Sequence, residues 1–194
     1  MWKKLLIISL SIAMFFVIVA PITPVYAGNK SININWQIAG TIVQSIDVTA
    51  PGTSDTEPKS LINLSAIGSP GPANITLLSK TEEVPIDPAS LPKDCEDKGY
   101  TDLAYYFEKN DFIALFPDQS LLFASINANG GFLCFNFTKG ESYFKIEMDI
   151  TGGKGRFEGS DGDFTAEGYG YLGFSGDSTL VGENGTVTGA IDFP

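Results

Sequence analysis

The chain has 194 residues, 43% of them hydrophobic, and sets 12 Lys and Arg against 23 Asp and Glu for a formal net charge of −11. A surface this acidic repels phosphate backbones and anionic lipid, which argues against nucleic acid or a membrane face as the partner. The chain has no histidine, so Ser-His-Asp and Cys-His catalysis and all histidine-containing metal sites are excluded.

Residues 1–27 read as a leader. Lys3 and Lys4 supply the positive start, residues 5–20 the apolar run, and Pro21 and Pro24 a helix break before the cleavage site at Val25-Tyr26-Ala27. The apolar run approaches the length of a membrane span. The prolines and Ala27 favour a cleaved signal over an anchor, so the mature protein is expected to begin near Gly28. The expected address is export, periplasmic or extracellular, with no membrane contact after cleavage. The first cysteine is Cys95, so nothing near the cleavage site carries a bacterial-type lipid.

Residues 28–194 then form one domain of ordinary size. From Ser31 the period is two: Ile32, Ile34, Trp36 and Ile38 alternate with polar neighbours, as in a strand with one wet face. Gly40 marks a kink, and residues 41–49 continue this strand or start the next. Residues 50–60 hold Pro51, Gly52, Asp55 and Pro58, which is loop chemistry. Residues 61–67 read as a strand, 68–72 as a turn and 73–79 as the return strand. Residues 80–99, with Pro85, Pro88, Pro92 and many acids, read as a surface excursion that Cys95 ties back to the body.

The aromatic stretch 100–107 is compatible with a short helix, but its composition favours a strand. Phe112, Ala114 and Phe116 alternate with Ile113 and Leu115, a run with no polar face that predicts burial on both sides. Residues 117–119 turn the chain into a strand over 120–126, and 127–131 form a hairpin loop before a return strand over 132–138. In an exported protein Cys95 and Cys134 predict one disulfide. Two cysteines without histidine make a poor metal site.

The clearest strand is 144–150, where Phe144, Ile146, Met148 and Ile150 point one way and Lys145, Glu147 and Asp149 the other. That alternation makes Glu147 and Asp149 solvated rather than catalytic. A glycine-rich corner follows at 151–164, with Gly152, Gly153, Gly155, Gly159 and Gly162 around Phe157 and Phe164. It lacks the Gly-Lys-Ser/Thr ending and following helix of a phosphate loop. Phe157 stands where a calcium-binding nonapeptide needs Asp, so Glu158, Asp161, Asp163 and Glu167 are read as turn and surface acids. Arg156, the only arginine, is expected to pair with one of the surplus acids. Closing strands at 163–171 and 186–193 are separated by a Gly/Asp/Ser loop. With no sustained helical period after residue 27, the strands predict a sandwich or a barrel.

Residues 150–159 (ITGGKGRFEG), with Gly162 and Phe164, resemble the TGG-x-G-x-F-x-G-x-x-G segment of allene oxide cyclases and dirigent proteins. Many exported bacterial proteins of unknown function carry the same segment. The resemblance implies an all-β fold, a single antiparallel eight-stranded β-barrel, and assembly as a trimer or dimer. It carries over no catalytic residue, because the reactive groups of the plant enzymes lie on other strands. The matched glycines are expected to be structural, with Phe157 and Phe164 packed as plugs.

An eight-stranded barrel either fills its interior with side chains or holds one small ligand. If there is a cavity, Trp36, Phe112, Phe116, Phe144 and Met148 are the expected lining. The leading expectation is an exported barrel that binds a small apolar ligand, or acts through its surface, without catalysis, cofactor or metal. The alternative is a cofactor-free cyclase or isomerase, or a dirigent-like guide of a reactive intermediate, which needs a carboxylate or tyrosine facing a cavity. A structural, envelope-associated role is the third.

Overall fold

The computed structural model describes residues 30–46, 59–84, 91–175 and 178–194. The expected leader and most of the expected loop at 50–60 lie outside the described residues. Eight strands form a meander: β1 (Lys30–Ile46), β2 (Lys59–Ser69), β3 (Ala73–Val84), β4 (Leu103–Leu115), β5 (Leu121–Asn136), β6 (Glu141–Lys154), β7 (Asp161–Ser175) and β8 (Ser178–Phe193). Each strand pairs antiparallel with the next, and β1 pairs with β8, so the sheet closes into a barrel. Closure leaves no strand edge unpaired, which removes the template for edge-to-edge aggregation.

The period-two pattern sorts the residues between inside and outside. On β1, Ile34, Trp36 and Ile38 are buried and Asn33, Asn35 and Gln37 are exposed. On β6 the inner row is Phe144, Ile146, Met148 and Ile150, all buried, while Asp149 faces solvent. Gly40 interrupts nothing, since the pairing of β1 with β2 runs through it without a break.

Four expectations are corrected. Residues 127–131 are not a hairpin loop but lie inside β5, which is one continuous strand. The register slips there on both sides, between Tyr106 and Asp111 toward β4 and between Ile126 and Gly131 toward β6. Gly130 is left-handed (φ 68°) and its N–H donates to the Asn127 side chain at 3.2 Å. This is turn chemistry used for a bulge, which bends a strand without reversing it. Secondly, the Gly/Asp/Ser stretch before residue 186 is mostly strand, because β7 and β8 extend to Ser175 and from Ser178. Thirdly, residues 80–84 belong to β3, and the rest of the expected excursion contains a short helix, α1 (Lys93–Lys98). Fourthly, Ile113 and Leu115 are not buried but 43% and 39% exposed, because no described element covers the outer face of β4 there.

The two barrel ends differ. At one end the corner of the resemblance bends through a one-turn 3-10 helix at Gly155–Phe157. Phe157 drops into the barrel mouth against Phe116 (ring centroids 4.7 Å) and Phe193 (6.2 Å), and Trp36 packs on Phe116 at 6.0 Å. The Trp36 indole N–H donates to the Gly71 carbonyl at 2.8 Å. Arg156 lies over the Phe116 and Phe157 rings and meets Asp118 at 3.4 Å, the acid pairing expected of it. Phe157 is therefore a plug, whereas Phe164 packs against Phe112 (ring centroids 5.0 Å) and borders the interior cavity.

Gly162 shows why the corner needs glycine. Its φ is 120°, and a Cβ there would strike the Ala190 carbonyl of the neighbouring strand. Gly162→Ala should cost about 1–3 kcal/mol through this forced conformation. A urea midpoint equal to that of the wild type would show that the corner tolerates a side chain.

At the other end α1 lies on the outer face, joined to β5 by the Cys95–Cys134 disulfide. Cys95, Tyr100, Ala104, Cys134 and Tyr143 form a second small core there. Tyr143, which faces outward on β6, is thereby fully buried, and its hydroxyl donates to Glu167 at 2.8 Å. Lys98 of α1 sits 4.7 Å above the same ring.

Candidate functional site

Among the described residues the barrel interior holds a cavity of about 30 Å³, room for one or two water molecules. Its wall is aliphatic and aromatic, with side chains from every strand but β5, including Ile38, Leu77, Phe112, Phe144 and Met148. Among the described residues a single polar side chain enters it. That residue is Glu183 of β8, 6% exposed.

The strands around Glu183 explain its isolation. Across β1 its pair is Gly40, and across β7 it is Gly170. Neither places a side chain beside the carboxyl, and its Oε1 has no hydrogen-bond partner. Loss of solvation disfavours the charged form, which pushes the carboxyl pKa up to about 8. At neutral pH the group keeps its proton and offers an O–H donor to the cavity.

Three other buried polar side chains sit in the inward-facing rows of their strands. Ser79 of β3 and Asn110 of β4 pair across the two strands, and Ser142 lies two residues before Phe144 on β6. The Ser79 and Ser142 hydroxyls and both polar atoms of the Asn110 amide are without partners. Buried polar groups are normally satisfied. Four such residues in one barrel are a reserve of donors and acceptors available to a guest or to water.

Of the five expected lining residues, Phe112, Phe144 and Met148 border the cavity. Trp36 and Phe116 do not, because they belong to the aromatic plug at the far end. All five point inward, but alternation tells only the face of a strand and not the height of a residue along the barrel. Glu183 is the residue that sequence reasoning missed, since the stretch holding it was read as loop. A signal was present: Val181, Glu183, Gly185, Val187, Gly189 and Ile191 keep the period of two. Glu147 ion-pairs with Lys145 at 3.9 Å and stays on the outer face of β6.

Compared with protein-family models, curated proteins and solved structures, the chain matches none. The site's chemistry therefore rests on its own geometry: an apolar chamber entered by one buried carboxyl.

Proposed function

We propose that the protein is an exported barrel that holds one small apolar or amphipathic molecule in its interior, beside Glu183. The observation that carries this reading is the cavity itself, walled by hydrocarbon and entered by one carboxyl whose Oε1 has no hydrogen-bond partner. A solid core would have no use for a buried acid, which costs stability wherever it is left unpaired. The unfilled space is small beside ordinary ligand pockets. A guest with more than a few heavy atoms must therefore displace side chains, and the unbranched Met148 is suited to that.

The test is a titration of the mature protein with 1-butanol and with benzene, followed by methyl NMR. One saturable site is expected, with shifts confined to interior methyls such as those of Ile38, Leu77 and Met148. Ala166→Leu, which fills the cavity from β7, should abolish those shifts. Absence of saturable interior shifts in the wild type overturns the reading.

A second reading, a cofactor-free cyclase or isomerase or a dirigent-like guide, is favoured by the same carboxyl. A protonated acid in an apolar chamber can lend its proton to a bound intermediate and recover it. The glycine corner and the eight-stranded barrel support descent from the allene oxide cyclase and dirigent group. That descent also implies self-association, for which the exposed Ile67 and Leu115, bordering one surface groove, offer an apolar face. Export accords with the disulfide.

A further inference from the structure

Resting on the interior-binding reading above, we propose that the site selects apolar amines over fatty acids and other anions, with Glu183 meeting the ammonium group. Three observations converge. The first is the wall: among the described residues no lysine or arginine borders the cavity, so an anionic head group finds no counter-charge there. The second is Glu183, whose buried Oε1 has no partner and whose neighbours across both adjacent strands are glycines. The third is the overall charge, −11, which concentrates cations near the protein and repels anions.

The chemistry of the exchange is simple. Folding has already stripped the carboxyl of water, so binding an ammonium costs that cation's hydration and the ionisation of Glu183, offset by the ion pair formed in a low-dielectric chamber. The alkyl tail meanwhile packs against Phe112, Phe144 and Met148 as side chains shift to admit it. When an alkylammonium enters near neutral pH, Glu183 gives its proton to solvent, and the pair left behind is ammonium and carboxylate. Among the described residues no other titratable side chain borders the cavity, so the released proton is that of Glu183. A neutral alcohol instead accepts a hydrogen bond from the protonated acid and releases nothing. An alkyl carboxylate meets an acid and hydrocarbon, and is rejected.

The experiment compares butylamine, 1-butanol and butyrate on the wild-type protein and on Glu183→Gln, by calorimetry at pH 7 in two buffers of different ionisation enthalpy. In the wild type, butylamine is expected to bind at least tenfold more tightly than butanol, releasing close to one proton, and butyrate is expected not to bind. Glu183→Gln should bind the amine no more tightly than the alcohol and release no proton. Butyrate binding as well as butylamine, or an amine preference that survives in Glu183→Gln, overturns this inference while leaving interior binding in place. If none of the three binds the wild type, interior binding falls and this selectivity with it.

Discussion

Raising the pH from 5 to 9 should lower the melting temperature of the wild-type protein by on the order of 10 °C, and Glu183→Gln should remove most of that dependence. The argument is one of linkage. In the unfolded chain a glutamate titrates near its ordinary value of 4.5, whereas burial in the folded barrel holds Glu183 up to about 8. Between these values the folded state keeps a proton that the unfolded state has lost. The stability contributed by the protonated acid is fully present below the lower value and is lost as pH rises through the upper one. The difference amounts to roughly 4–5 kcal/mol across that window. General repulsion among the surplus acids changes in the same direction, so the decisive quantity is the difference between wild type and Glu183→Gln. Thermal melts at unit pH intervals measure it. Parallel curves for the two proteins would mean that the carboxyl is not held neutral inside the barrel.

Reduction of the disulfide should cost about 4 kcal/mol, from the entropy of a closed loop with a sequence separation of 39. Cys95→Ser with Cys134→Ser should cost the same. The loss has a local face as well. Without the bridge, α1 is held to the barrel mainly by contacts around Tyr100 and Tyr143 and by ion pairs such as Lys98–Glu167 at 3.4 Å. Partly exposed ion pairs of that kind contribute little. Near-ultraviolet circular dichroism should therefore lose tyrosine signal at a lower temperature in the reduced protein than far-ultraviolet signal is lost. A melting temperature unmoved by reductant would show that the second core holds α1 unaided.

These two effects sit at opposite levels of legibility. The cysteine pairing was readable because it needs only two residues and a compartment. The Glu183 environment was not, because a single acid in a glycine-rich stretch looks like a turn until its neighbours are known. Gly40, which leaves it without company on one side, meets it only through the closure of β1 on β8, and Gly170 on the other side only through the register of β7 against β8. The bulge in β5 misled for a related reason. An Asn and a left-handed Gly reverse a chain or merely bend it according to the strands on either side.

The sequence by itself determined most of the strands and the inward rows of the clearest ones, the glycine corner and the cysteine pair, but not the continuity of β5 or the full length of β7 and β8. All of these follow from the alternation of side chains along an extended chain or from one residue's backbone freedom. Only the tertiary structure decided that Trp36 and Phe116 plug one end while Phe112, Phe144 and Met148 ring a cavity. It alone put an acid among them. The physical reason is register: height along a barrel depends on how distant strands slide past one another, and a pattern with a period of two is blind to that displacement.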